Sequence, residues 1–139
     1  MSENFSNELI SNIILGNKHI VNHRNESFGV NDERIEWVFS KANSFNDIKD
    51  QRTRIIKKAT AVLGGISWQQ PFNNGNKTIA IIVTKYFLQK NGFNLRLSTD
   101  QEEDELIDLL VRTMYKFEDD PTIFSEIEEY LNRKVENKS

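Results

Sequence analysis

Apolar residues recur at the spacing of an α-helix along most of this 139-residue chain. In one stretch Ile55, Ala59, Val62 and Ile66 follow one another at intervals of four, three and four residues, so all four fall on one helix face. Prolines and glycines, which interrupt helices, number only two and six. The sequence therefore predicts a single all-α domain over residues 1–139, built as a bundle of about six helices.

The predicted helices are separated by recognisable start and stop residues. The first begins after Ser6 and ends at Gly16-Asn17, and Asn31 caps the second. The β-branched run Ile79–Thr84 leaves a buried strand as the alternative for this segment. The segment's length and its Asn91-Gly92 ending favour a helix. The remaining helices are predicted over residues 47–68, 77–91 and 100–117, and from Asp120-Pro121 onward.

Charge and residue types exclude several functions. With 18 basic and 21 acidic residues the net charge is −3, whereas a general nucleic-acid binder carries a basic excess. No apolar run approaches the ~18 residues of a membrane span, and the polar N-terminus lacks the apolar core of a secretory signal. The chain has no cysteine and only two histidines, so no thiolate chemistry or multi-histidine metal centre is expected. We expect a cytoplasmic protein that binds neither nucleic acid nor membranes.

Two features of the predicted helix over residues 47–68 concern its packing. Its basic residues are expected to form a solvated face. Gly64-Gly65 lies inside the helical pattern, where each glycine costs about 1 kcal/mol relative to alanine. The pair therefore predicts a close approach of another part of the chain, or a kink before the next loop. The basic face comprises Arg52, Arg54, Lys57 and Lys58.

The polar segment 69–76, between two apolar helices, is the most unusual stretch of the chain. Gly75 and Asn76 tolerate positive φ, so the backbone can turn and direct successive N–H groups into one concavity. These groups lie at the start of the next predicted helix, where free N–H groups and the helix dipole favour an anion. Lys77 adds a positive charge and Phe72 can anchor the loop in the core. The arrangement suits a phosphate, although a plain turn between helices would use the same residues.

The residues around this segment resemble the Fic/Doc (Fido) family, in its Doc-like (death-on-curing) branch. The stretch Gln70-Pro71-Phe72-Asn73-Asn74-Gly75-Asn76-Lys77-Thr78 is similar to the family pattern H-P-F-x-D-G-N-K-R. Phe87-Leu88-Gln89-Lys90-Asn91-Gly92 is similar to the helix ending F-L-x-x-N-G, and Phe28-Gly29-Val30-Asn31-Asp32 to the segment before the second helix. The resemblance covers residues 28–95 and implies a Fic/Doc-like helical bundle, with room for a small β-hairpin flap.

The resemblance also implies an activity and a role for each motif position. Family members with an intact motif transfer AMP, or in the Doc-like branch phosphate, from a nucleotide to a hydroxyl of a target protein. ATP and Mg²⁺ are the implied cofactors. In this sequence Gln70 stands at the position of the catalytic base and Asn74 at that of the Mg²⁺ ligand. The implied nucleotide-binding residues are Phe72, Gly75, Asn76, Lys77 and Thr78.

Three departures from the family pattern fall on the reacting groups. Gln70 replaces the histidine, and an amide cannot accept a proton near neutral pH. Asn74 replaces an acidic Mg²⁺ ligand without supplying its negative charge, and Thr78 replaces an arginine that would grip phosphate. His19 and His23 lie far upstream in a polar segment and are expected on the surface rather than as substitute bases.

The sequence leaves three functions open. The function we expect is a Fic/Doc-like AMP- or phosphotransferase that is catalytically impaired. The second is a pseudoenzyme that binds a nucleotide or a partner protein without turnover, and the third is a helical interaction module whose loop is a mere turn. The Doc-like branch further implies a toxin, with a small antitoxin protein as its partner.

Overall fold

The computed structural model describes residues 3–138. They form six α-helices and two short strands, and this confirms the prediction of an all-α bundle of about six helices. The strands pair antiparallel, with Phe93 opposite Asn137 and Leu95 opposite Val135, so the small sheet joins two segments that are distant in the sequence. In chain order the elements are α1 (Asn7–His23), α2 (Asp32–Asn43), α3 (Gln51–Gln69), α4 (Asn76–Lys90), β1 (Phe93–Leu95), α5 (Asp100–Met114), α6 (Ser125–Lys134) and β2 (Val135–Asn137).

Helix α3 forms the centre of the bundle and packs against α2, α4, α5 and α6. A Cβ on Gly64 would lie 3.0 Å from the ring of Phe124, and one on Gly65 would lie 3.2 Å from Val38. The close approach predicted from this glycine pair is therefore confirmed, and α3 continues through both glycines. Neither α3 nor any other helix in residues 3–138 has both the length and the apolar character needed to cross a membrane.

Four helices of the described chain begin with a side-chain cap. Oxygens of Ser6, Asn31, Asp50 and Thr99 each accept a hydrogen bond from the N–H three residues further on, which satisfies a donor that every helix start leaves free. The predicted caps Ser6 and Asn31 are thus confirmed. Helices α4 and α6 have no such cap, and α4 begins directly after the unusual polar loop.

The predicted end of the first helix at Gly16-Asn17 is wrong, because α1 continues for two further turns. The local signal is overridden by packing of α1 against α4. A Cβ on Gly16 would touch Ile79 at 3.6 Å, and Val21 lies beside Gly75 at the start of α4. The order of these contacts shows that α1 and α4 are antiparallel. The C-terminal end of α1 therefore lies next to the uncapped start of α4.

The predicted start of the last helix at Pro121 is also wrong, since α6 begins at Ser125. The carboxylate of Asp120 accepts hydrogen bonds from the N–H and the hydroxyl of Thr122, at 2.8 and 2.6 Å. An aspartate that bonds to the backbone two residues on forms a turn that competes with a helix. This turn takes the place of the first helical turn that the proline predicts.

The predicted solvated basic face of α3 is wrong as well. Lys58 is only 1% exposed and donates to the backbone carbonyl of Glu3 at 2.8 Å. Arg54 donates twice to the Glu3 carboxylate, and this hydrogen bonding lowers the pKa of Glu3. Lys57 pairs with a carboxylate of α6 at 2.7 Å, and Arg52 donates to backbone carbonyls near the end of that helix. These side chains tie both ends of the described chain to α3.

Candidate functional site

The loop between α3 and α4, residues 70–75, is held by the segment that precedes α2. Asn31 N–H donates to the carbonyl of Pro71 at 2.7 Å, and Asn73 N–H donates to the carbonyl of Gly29 at 3.0 Å. The two segments thereby form a short antiparallel bridge. A Cβ on Gly29 would lie 2.2 Å from the Asn73 side chain, so a larger residue there would have to displace that side chain.

Phe72 and Asn76 fix the loop from the inside. Phe72 lies in the hydrophobic core and is 3% exposed. The Asn76 side chain, also buried, accepts from Phe72 N–H at 3.0 Å and donates to the carbonyl of Phe72 at 2.8 Å and to Gln70 Oε1 at 3.1 Å. Asn76 is already helical, so of the two residues expected at positive φ only Gly75 adopts it, at +76°. The Asn76 side chain thus holds the loop closed. Because these bonds occupy the side-chain amide, the group of Asn76 that can bind an anion is its backbone N–H.

Gln70 ends α3 in the left-handed region, at φ 49° and ψ 57°, which is uncommon for a residue with a side chain. Its amide is engaged at both ends. Nε2 donates to the carbonyl of Ser67 at 2.7 Å, and Oε1 accepts from Asn76 Nδ2 at 3.1 Å. Gln70 therefore links α3 to the loop, and a neutral amide has no capacity to take up a proton at neutral pH.

Asn74 connects the loop to its neighbours on two sides. Its Nδ2 donates to the carbonyl of Ser27 at 3.0 Å, and its backbone carbonyl accepts from Asn17 Nδ2 at 2.9 Å. Asn17 is fully buried, and its Oδ1 has no hydrogen-bond partner within the described residues. The middle of α1 therefore fixes the position of the loop through a buried amide.

The start of α4 presents backbone N–H groups without acceptors. Within residues 3–138 the N–H groups of residues 74–78 make no hydrogen bond, and the N-cap position is a glycine with no side chain to supply one. Gly75 is needed for its positive φ and also for space, because a Cβ there would lie 3.0 Å from Asn17 Nδ2. Free N–H groups at the positive end of a helix dipole favour an anion.

Two cationic side chains lie at this helix start. Lys77 is half-buried and makes no hydrogen bond or ion pair inside the described part of the chain. Thr78 Oγ1 accepts a hydrogen bond from Arg24 Nη2 at 3.1 Å, and Arg24 is the C-cap residue of α1. The antiparallel packing of α1 and α4 thus brings a guanidinium group from a distant part of the sequence to the motif.

The residues around Asn74 do not form a magnesium site by themselves. Mg²⁺ in proteins is held by one or two carboxylates together with substrate phosphates and water, whereas Asn74 offers one neutral amide oxygen. No group of three or more His, Cys, Asp or Glu side chains that could hold a metal ion occurs among residues 3–138. We therefore assign no chemical step to Mg²⁺.

Several residues that shape the site were not found from the sequence. Asn17 and Arg24 on α1 reach Asn74 and Thr78, and Arg34 donates from Nη1 to the carbonyl of Gln69 at 3.1 Å. A signal for the buried asparagine does exist, because it stands four residues from apolar neighbours on either side of the same stripe. No local pattern distinguishes the two arginines from surface residues. As expected, both histidines of α1 are exposed.

Fold and loop together define a class of protein: a small helical bundle in which an uncapped helix, preceded by a glycine-containing loop, offers N–H groups and a lysine to an anion. The sequence model of the Fic/DOC family matches residues 11–88. The match spans more than half of the chain and includes the whole loop, and the chain belongs to this family. Comparisons with curated proteins and with solved structures gave no match. The predicted family is confirmed, while the Doc-like branch stays a prediction.

Proposed function

We propose that this member of the Fic/DOC family binds a nucleotide through its phosphates at the start of α4, with transfer of AMP or phosphate to a protein hydroxyl impaired. Members of the family transfer AMP or phosphate. The observation that carries the proposal is the row of N–H groups at residues 74–78 that have no acceptor within the described chain, next to Lys77. A phosphate supplies the missing acceptors and the opposite charge.

The impairment rests on the group that stands where a proton must be removed. Gln70 donates to Ser67 and accepts from Asn76, so its amide is occupied in holding the loop. Removing a general base costs about 10²–10⁴-fold in rate. Asn74 and Thr78 are neutral, whereas the family pattern has a charged side chain at each of these two positions. Phosphate binding is therefore expected to survive better than transfer.

Isothermal titration calorimetry tests the binding half of this proposal. We expect ATP to bind more tightly than ADP, and ADP more tightly than AMP, because each phosphate adds contacts to the N–H groups. Lys77→Gln is expected to weaken ATP binding. Lys90→Gln is the matched control, since it removes the same charge from the exposed far end of α4. Absence of ATP binding at millimolar ligand would contradict the proposal.

Labelled ATP tests the transfer half. The protein is incubated with α- or γ-labelled ATP and a cell extract, and little protein labelling above the blank is expected. The triple variant Gln70→His, Asn74→Asp, Thr78→Arg is expected to gain measurable transfer if the scaffold is otherwise intact. A folded triple variant that binds ATP yet stays inert would show that more than these three groups is lost. Strong labelling by the unaltered chain would refute the impairment.

A second candidate is a binding module with no turnover, and the engagement of both ends of the Gln70 amide favours it. It differs from the first in one outcome, because ATP would bind while no variant of the motif restored transfer. For partners we propose a target-protein hydroxyl and a small antitoxin, with action in the cytoplasm. Induced expression of the triple variant in a bacterial host tests the toxin role, with growth arrest as the expected result.

A further inference from the structure

We propose that Arg24, at the end of α1, is a phosphate-gripping residue of this site and makes it selective for polyphosphate ligands. The inference rests on the proposed function and adds to it a residue outside the motif. Arg24 Nη2 lies 3.1 Å from Thr78 Oγ1, in the first turn of α4. The family resemblance implies an arginine at the position of Thr78. In this chain the guanidinium group at that position belongs to Arg24 of α1 instead.

The partners of the arginines single out Arg24. Among the arginines of residues 3–138, Arg24 is the one whose guanidinium meets neither a carboxylate nor a backbone carbonyl, because its hydrogen bond goes to a neutral hydroxyl. A guanidinium group carries five N–H donors, most of which are therefore free in Arg24. The others are paired: Arg54, Arg96, Arg112 and Arg133 with carboxylates, Arg34 and Arg52 with backbone carbonyls.

The electrostatics at this point are unbalanced without a ligand. Arg24 and Lys77 both lie at the first turn of α4, the positive end of the helix dipole, where a cation is unfavourable. No carboxylate of the described residues lies within 4.0 Å of either cation. Three sources of positive potential thus meet with no anion to offset them. A bound polyphosphate relieves this repulsion, and a planar guanidinium pairs with two phosphate oxygens at once.

The packing of α1 sets the position of the Arg24 backbone, although the side chain is exposed. Its backbone N–H donates to carbonyls in the last turn of α1, and α1 is held against the loop by Asn17, which donates to the carbonyl of Asn74. Val21 lies against Gly75 one turn earlier. The guanidinium is therefore carried on a helix that the bundle fixes relative to α4, which is the preorganisation that tight anion binding requires.

Titration of ATP, inorganic pyrophosphate and adenosine into matched variants tests the inference. Arg24→Gln is expected to weaken ATP and pyrophosphate binding about 10-fold or more, as for loss of a hydrogen bond to a charged group, without changing adenosine binding. Arg133→Gln removes the same charge from an exposed helix position elsewhere and is expected to leave all three affinities unchanged. Because Arg24 is exposed, the melting temperature of its variant should match that of the unaltered chain.

Relocating the guanidinium gives the sharper test. The double variant Arg24→Gln, Thr78→Arg is expected to recover most of the lost ATP affinity. A folded double variant that does not recover it, or an Arg24→Gln variant that binds ATP like the unaltered chain, would overturn the role of Arg24 while the proposed function stands. If the unaltered chain binds neither ATP nor pyrophosphate, the proposed function fails and this inference fails with it.

Discussion

The side chain of Asn76 pairs with the backbone of Phe72 through two hydrogen bonds, accepting from its N–H at 3.0 Å and donating to its carbonyl at 2.8 Å. The side-chain amide thus pairs with the N–H and the carbonyl of one residue, as the backbone of a neighbouring strand does in an antiparallel sheet. Because Phe72 is itself anchored in the core, the pairing fixes the start of α4 relative to the core. These contacts place the free N–H groups that follow.

Asn76→Ala is expected to lower the free energy of unfolding by about 2–4 kcal/mol, because it leaves both polar backbone groups of Phe72 without partners in a buried place. Chemical denaturation measures the change. Asn22→Ala, on the exposed surface of α1, is the control and should be nearly neutral. An equal and small effect of both substitutions would mean that the Asn76 pairing contributes no stability.

Gly75→Ala is expected to destabilise the protein more than Gly92→Ala. Both glycines have positive φ, at 76° and 89°, so each substitution carries about 1–2 kcal/mol of backbone strain. A Cβ on Gly75 also meets Asn17 and Val21 at 3.0 and 3.2 Å, whereas a Cβ on Gly92 meets nothing within 4 Å. The difference between the two melting temperatures measures the steric part. Equal losses would show that the contact with α1 yields without cost.

Features that depend on neighbouring residues could be predicted from the sequence. The cap at Ser6 needs only the N–H three residues on. The helix stability lost at Gly64-Gly65 predicted either a close approach or a kink, and the close approach is the one that occurs. The turn-forming loop before α4 was found for the same reason. Its Gly75 adopts positive φ, as such a loop requires.

Features that depend on distant contacts could not be predicted. Gly16-Asn17 has the residue types of a helix end, but in the fold Gly16 meets Ile79, a contact that no local pattern contains. Lys58 has the residue type of a solvated surface, yet its Nζ finds the carbonyl of Glu3 and the side chain is buried. In each case tertiary packing decided between two locally acceptable states.

Mg²⁺ is expected to change the affinity of the unaltered chain for ATP only slightly, since Asn74 supplies no charge to the cation. Asn74→Asp should make ATP binding depend on Mg²⁺, because a carboxylate next to substrate phosphates is the usual way in which proteins hold this ion. Calorimetry with Mg²⁺ and with a chelator gives both comparisons. The exposed neighbour Asn73→Asp controls for added charge. Strong Mg²⁺ dependence before any substitution would contradict the expectation.

Acid is expected to remove a stabilising contact between α5 and α6. Glu102 accepts from Lys134 Nζ at 3.0 Å and from Ser98 N–H at 3.1 Å, and these bonds lower its pKa from the ordinary value of 4.5. A carboxyl whose pKa is lower in the folded state stabilises the fold above pH 4.5, and this contribution is lost as the pH falls through the folded-state pKa. Glu102→Gln should therefore be less stable than the unaltered chain at pH 7, and the difference should shrink below pH 4.5.

Urea denaturation of both proteins at a series of pH values from neutral to acid measures that difference. Glu103→Gln is the matched control, since Glu103 is an exposed neighbour on α5 that forms no ion pair within residues 3–138, and its effect should vary much less with pH. If the stability gap of Glu102→Gln stayed constant from pH 7 into acid, the ionised form of Glu102 would not be what stabilises this contact. The substitution Glu102→Gln would then lower stability only by changing the geometry of the hydrogen bonds, an effect that does not depend on pH.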